Sequence, residues 1–161
     1  HFNEAYLELS GINYYFGSYD SALQCLKHIN PQKINSVTAL MNMAGIYDEL
    51  KKYSESRSVL ERVIKLDPAN AKAYFFIGNS YLYESDFIKA EEYYLKSYSC
   101  NTQVKETLLN LAFVSIKRNN YMQALEYYKH LEVICPDDEG IKRKIKALEM
   151  KLFLENSNNQ K

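Results

Sequence analysis

Large apolar and small residues recur along the chain at one fixed spacing. Tyr19, Tyr53, Phe87 and Tyr121 each precede by three positions a small residue, Ala22, Ser56, Ala90 or Ala124, and successive members stand 34 apart. Other columns keep the same register. Tyr6, Leu40, Tyr74 and Leu108 are large; Leu9, Met43, Ile77 and Leu111 are aliphatic or Met; Ser10, Ala44, Gly78 and Ala112 are small. A fixed period of this length predicts an array of stacked helical hairpins, an all-α fold. Between the paired helices the chain reads Gly17-Ser18, Lys51-Lys52, Ser85-Asp86 and Asn119-Asn120. Gly and Asn tolerate the left-handed conformation of such a turn, and Lys51 is the awkward member of the set. Beyond the fourth hairpin, Asp137-Asp138 offers an N-cap, and Ile141, Ile145, Leu148 and Leu152 form one stripe at helical spacing. That pattern predicts a ninth helix, with Lys142, Arg143, Lys144, Lys146 and Lys151 facing water.

Each column has a physical reason. Small residues at Ser10, Ala44, Gly78 and Ala112 sit where the first helix of a hairpin crosses the second, and Ala22, Ala90 and Ala124 let the return helix approach. Aromatics at Tyr6, Tyr74, Tyr94 and Tyr128 are expected to fill the volume between hairpins, each hydroxyl seeking a partner at the rim.

The motif is densest from residue 71 to residue 104, where Tyr74, Ile77, Gly78 and Tyr81 are followed by Ala90 and Tyr94. This is the W-x2-L-G-x2-Y…A-x3-F spacing, and the chain resembles the tetratricopeptide-repeat (TPR) family. The resemblance implies a right-handed superhelical stack of antiparallel helix hairpins, an α-solenoid. It places repeats at 3–36, 37–70, 71–104 and 105–138, a capping helix at 139–155 and one domain over 3–155. The closing Pro of the motif stands at Pro68 and Pro136 and is replaced by Ile34 and Thr102. Asn13 and Ser115 occupy positions where the family usually has an aromatic. The apolar-free tail, 156–161, is expected to be disordered.

Composition narrows the function. The chain has 161 residues, 47% of them hydrophobic, which suits one well-packed domain. Twenty basic and twenty acidic side chains cancel, and zero balance argues against a nucleic-acid protein, whose affinity would rest on excess Lys and Arg. No run approaches the length of a membrane span, so no membrane insertion is expected, and nothing resembles a signal peptide. The chain opens on His1, the expectation being a trimmed form or a fragment of something longer. Cys25, Cys100 and Cys135 are an odd number without metal-type spacing, which reads as idle thiols in a cytoplasmic protein with no metal and no cofactor. Cys25 and His28 are one turn apart, but no other half of a zinc site is evident. His28 and His130 fall on the outer faces of separate hairpins, and the five glycines form no phosphate-cradling motif, so no catalytic residue is assigned and the chain is read as a non-enzyme.

In the family the concave surface is lined by first helices. Resemblance places there Leu7 and Tyr14 from the first repeat and Met41 and Asn42 from the second. The third repeat supplies Lys72, Phe75, Phe76, Asn79 and Tyr83, and the fourth Leu109, Asn110 and Phe113. Phe75 and Phe76 are adjacent on a helix already anchored by Tyr74 and Ile77, so some aromatic surface should face the groove. Asn42, Asn79 and Asn110 are each able to donate to and accept from a peptide backbone. The family's carboxylate clamp is not matched: where it needs Lys, Asn, Asn, Lys and Arg the chain has Leu7, Gly11, Asn42, Lys72 and Phe76. The expected function is a non-catalytic protein–protein interaction module, a scaffold or adaptor that takes an apolar or amphipathic peptide segment in its groove. The alternatives are a self-associating structural protein and a regulatory domain of a larger one.

Overall fold

Four hairpin turns close in one backbone conformation. The computed structural model describes residues 2–29, 34–101 and 105–158. In it Gly17, Lys51, Ser85 and Asn119 take φ of 73°, 55°, 61° and 59°, so the 34-residue period holds in the dihedral angles as well as in the side chains. The left-handed residue lets two amides turn back onto the finished helix: Lys52 N–H donates to the Tyr47 carbonyl at 2.8 Å and Lys51 N–H to that of Asp48 at 2.9 Å. The same pair of bonds recurs at Ser18/Gly17, Asp86/Ser85 and Asn120/Asn119. These are Schellman closures, which satisfy carbonyls that a helix end otherwise leaves without partners. Lys51 and Ser85 accept a conformation that costs a non-glycine residue roughly 1–2 kcal/mol, because the helices on either side are held by packing.

The elements are α1 (Phe2–Tyr15), α2 (Tyr19–Lys27), α3 (Val37–Glu49), α4 (Tyr53–Leu66), α5 (Ala71–Tyr83), α6 (Phe87–Cys100), α7 (Lys105–Lys117), α8 (Tyr121–Ile134) and α9 (Glu139–Asn158). Several helix starts are capped by short polar side chains: Asn70 accepts from Ala73 N–H, Asp86 from Lys89 N–H, and Asn120 from Gln123 N–H, whereas α2 and α4 start without a side-chain cap. Asp138 accepts from Gly140 and Ile141 N–H, which confirms the N-cap expected ahead of α9. Consecutive helices pack as antiparallel pairs, and each pair lies on the next. No strand is present among the described residues.

Both small columns are buried. Ser10, Ala44, Gly78 and Ala112 lie at the crossings, and Ala22, Ser56, Ala90 and Ala124 are fully enclosed. The tightest crossing is at Gly78, where an added Cβ would come within 2.6 Å of two ring carbons of the buried Tyr94. The aromatic column is less uniform than expected. Tyr94 and Tyr128 are buried, whereas Tyr6 and Tyr74 are half-buried. Tyr6 stacks on His28 at 4.9 Å, and the Tyr74 hydroxyl donates to the Pro68 carbonyl. Where the family's aromatic is missing, the Asn13 amide reaches the Cys25 sulfur at 3.7 Å and Ser115 is buried without a hydrogen-bond partner.

Helix α9 continues the register of the first helices. Ile141, Ile145 and Leu148 stand 34 residues after Thr107, Leu111 and Val114, and they are buried in one cluster with Leu131 and Tyr128 of α8. Lys142 and Lys146 replace Leu108 and Ala112, the positions that would face a return helix. The first half of the helix therefore has an apolar inner side and a charged outer one, and further along Met150, Phe153 and Leu154 are exposed. The helix runs to Asn158, past the boundary at 155, so residues 156–158 are helical rather than part of a tail; 159–161 lie outside the described residues.

Truncation after Asp138 should uncover the buried face of α8 and lower both the thermal midpoint and the soluble fraction. An unchanged midpoint by circular dichroism would show that α9 is not a cap. At the crossing, Gly78→Ala should cost about 1–3 kcal/mol in urea denaturation because the Tyr94 ring has no room to retreat. Gly45→Ala should be milder, since its nearest neighbour, at 3.0 Å, is the hydroxyl of the half-buried Tyr14.

Candidate functional site

First helices α1, α3 and α5 each turn one side towards a shared hollow, and the end of α6 and the start of α7 close its far wall. The cavity measures about 610 Å³. Phe75 and Phe76 meet there edge to face, with centroids 5.7 Å apart. Adjacent helical residues diverge by about 100°, so Phe76 leans on the core of α1–α5 while Phe75 leans the other way, onto Tyr94 at 5.8 Å and the core of α6–α9. Both rings stay half-exposed because the two cores part at this level. Met41 and Tyr14 complete the apolar floor, and the exposed Tyr83 ring, stacked on Tyr53 at 5.4 Å, stands at the rim.

The polar groups divide into committed and free. Asn79 Oδ1 accepts from the Tyr94 hydroxyl at 2.8 Å and from Asn110 Nδ2 at 3.2 Å, which ties α5 to α6 and to α7. Burial pushes the Tyr94 hydroxyl far above its ordinary value, so it stays a donor. Asn42 lines the hollow with Lys72 near one edge and Asp48, Glu49 and Glu106 around it. Burial raises the Asp48 carboxyl above the usual range; the Ser56 hydroxyl and the Arg57 guanidinium oppose this, and the Glu49 charge adds to it. The Ser56 hydroxyl is near enough to act on that charge yet falls outside hydrogen-bond geometry, leaving Asp48 Oδ1 without a partner. Burial, with Glu49 next, likewise raises the Tyr14 hydroxyl.

Of the residues expected in the groove, Tyr14, Met41, Asn42, Lys72, Phe75, Phe76, Asn79 and Tyr83 are brought together in this hollow. Leu7 lines a smaller one, about 290 Å³, between α1 and α3, which Asn42 also borders. The three α7 residues do not line the main cavity. Leu109 is packed into the C-terminal core, Asn110 is held by Asn79, and Phe113 stays 42% exposed with the Lys117 ammonium 5.3 Å from its ring centre. Ser97 and Asn101, from a second helix and its end, line the cavity without having been expected. The signal at Ser97 was its column, where Ile29, Val63 and Leu131 are aliphatic: a small residue there leaves space.

His28 and His130 are exposed outside the hollow, His130 sharing a hydrogen bond with the Tyr98 hydroxyl. Among the described residues no group of three or more His, Cys, Asp or Glu is placed to hold a metal ion, and no helix is long and apolar enough to cross a membrane. What the hollow offers is apolar contact, one uncommitted amide at Asn42 and a mostly acidic rim.

Comparison with known proteins agrees with this architecture. The tetratricopeptide repeat model matches residues 37–70 and 71–101, the second and third repeats read from the sequence. The TPR repeat-containing protein MJ1428 of Methanocaldococcus jannaschii is 29% identical over 119 residues, which cover 72% of this chain and 21% of that protein. The chain thus spans about a fifth of that relative's length. Among solved structures, a crystal structure of MamA protein superposes with a TM-score of 0.84 at 18% identity, covering 99% of this chain and 87% of the other. MamA from Desulfovibrio magneticus, from residue 41 onwards, gives 0.76 at 21% identity, covering 84% and 77%. At such identities the likeness concerns the fold. Repeat period, hairpin closures, crossing residues and family match coincide: the chain is a tetratricopeptide-repeat protein.

Proposed function

We propose that this protein is a non-catalytic interaction module, a scaffold or adaptor, and that its concave hollow takes an apolar or amphipathic peptide segment of a partner protein. The observation that carries the reading is the pair Phe75 and Phe76, held half-exposed between two cores in a 610 Å³ hollow. Exposed aromatic surface in a concave site is where binding energy concentrates, because a few large anchors exclude water from both partners. Asn42 can donate to and accept from the backbone of that segment. Three carboxylates against one Lys on the rim favour a segment with a basic residue beside its apolar anchors. The zero net charge favours protein over nucleic acid as the partner, and the three free thiols fit a cytoplasmic setting.

Peptides selected from a random library on the purified protein provide the test. The expected consensus is apolar with a basic neighbour. Phe76→Ala combined with Tyr83→Ala should weaken the selected peptide by about 2 kcal/mol or more, with helical circular dichroism retained. Phe113→Ala, outside the hollow, should leave binding unchanged. Loss in the Phe113 variant with retention in the double variant would move recognition off the hollow.

The Asp48 carboxyl gives a second, pH-dependent expectation. Its value is raised in the fold, so ionising it penalises the native state; the penalty is absent below about pH 4, the unfolded value, and develops as pH rises through the shifted one. Asp48→Asn should therefore match the parent in thermal midpoint under acid conditions and exceed it at neutral pH. A gap that does not change with pH would mean that the charge is not the source of the cost.

A further inference from the structure

Each second helix packs on the first helix after it, and one pair of positions at that junction changes character along the array. The pairs are Leu23 with Leu50, Arg57 with Glu84, Glu91 with Arg118, and Leu125 with Leu152, each 34 residues after the last. At the two outer junctions both members are leucines packed into the apolar cores, whereas the two inner junctions carry ion pairs. The Arg57 guanidinium holds Glu84 through two nitrogens, at 2.8 and 3.3 Å, donates to Ser80 at 3.2 Å and lies 4.3 Å from the centre of the Tyr81 ring. At the next junction the Glu91 carboxylate pairs with the Arg118 guanidinium. The same two positions are thus bridged twice, with the charges reversed.

In both bridges the member on the second helix is the enclosed one. The Arg57 and Glu91 side chains are 16% and 12% exposed, and their partners 40% and 38%. A charge so enclosed is costly to leave unmatched, more so than one at the open surface. The neighbouring contact positions discriminate little. Thr107 on α7 meets Ser97 on α6, and Ser80 on α5 meets Arg57 on α4, so these columns face the preceding hairpin. They read Ala39, Ala73 and Thr107, and Ile46, Ser80 and Val114, all buried and all small or aliphatic.

We propose that the reversed bridges select which hairpins stack on which, and so keep the two inner junctions in their native order. Seated on α7, α4 would bring Arg57 against Arg118. Seated on the α5 of a second copy, α6 would bring Glu91 against Glu84. On α3 of a second copy or on α9, either charge would meet Leu50 or Leu152 and lose its partner. Each wrong neighbour of α4 or α6 therefore leaves an enclosed charge repelled or unmatched, although the apolar contact would be much the same. The order matters because α1, α3, α5, α6 and α7 all contribute to the concave hollow.

Exchanging charges at constant net charge provides the test. Arg57→Glu alone sets two acids together and should lower the urea midpoint. Combining Arg57→Glu with Glu84→Arg should recover most of that loss, but it gives both inner junctions one polarity, so that α4 now matches α7 and α6 matches the α5 of a second copy. On dilution from urea at micromolar concentration, the fraction of this double exchange eluting as monomer in size-exclusion chromatography should fall roughly twofold or more below that of the parent. The reciprocal exchange, Glu91→Arg with Arg118→Glu, should behave alike. Making all four substitutions together sets the polarities opposite again and should restore the monomer fraction of the parent. Equal monomer recovery in the parent and both double exchanges overturns the proposal, and so does a combined variant that recovers no better than they do. A midpoint that neither double exchange restores overturns it as well, because the two polarities would then not be interchangeable.

Discussion

A helical hairpin of this size has two apolar sides and its own partner helix covers only one. The other must lie on a neighbouring hairpin, and every regular feature of the molecule follows from that requirement. It explains why Ala39, Ala73 and Thr107 recur in one column, since the second helix of the preceding hairpin passes close to that point. It explains why α9 keeps Ile141, Ile145 and Leu148 inward, against the second helix that precedes it, while Lys142 and Lys146 face away from that contact. It also gives the concave hollow, because first helices pushed together by their small residues present their remaining side as a continuous wall.

The closures between helices are secondary to this packing. A left-handed Lys51 or Ser85 would be an unusual choice for an isolated helix, yet both sit in the same pair of backbone bonds as Gly17 and Asn119. The geometry of two packed helices requires the turn, and the residue accepts the strain. Hydrogen bonding then refines the stack at a few points. Asn79 is the clearest, joining the Tyr94 hydroxyl and the Asn110 amide so that three helices share one polar node beneath the hollow. With its carbonyl used in this way, Asn79 acts more as a strut of the wall than as a contact for a ligand, and Asn42 carries the free amide instead.

The hollow combines apolar aromatic surface with carboxylates that the fold does not fully compensate. Asp48 is the sharpest case, an acid pushed towards its neutral form by burial and lacking a partner for one oxygen. The Ser56 hydroxyl and the Arg57 guanidinium offset only part of that cost, so a cation brought beside the carboxylate would be attracted. Aromatic anchors and a partly compensated acid together favour a ligand that is apolar along most of its contact and basic at one point.

The period of 34, the identity of the small columns, the turn positions and the amphipathic last helix were all determined by the sequence, because each depends on residue type at a repeated position and repetition averages out local ambiguity. Eight of the twelve residues expected in the groove line one hollow for the same reason: membership of a first helix sets the direction of a side chain. What the tertiary structure decided were matters of neighbour rather than type. Phe75 and Phe76 differ in surroundings only because two cores diverge between them, and Asn110 and Leu109 are drawn out of the hollow by contacts with α5 and the C-terminal core. Ser97 enters it from a second helix because a missing aliphatic side chain opens a path. Leu9 and Ile12 occupy the same columns as Ile77 and Val114 and carry the same chemistry, yet they are exposed. The physical reason is that burial belongs to a pair of surfaces, and a column in the sequence records only one of the two.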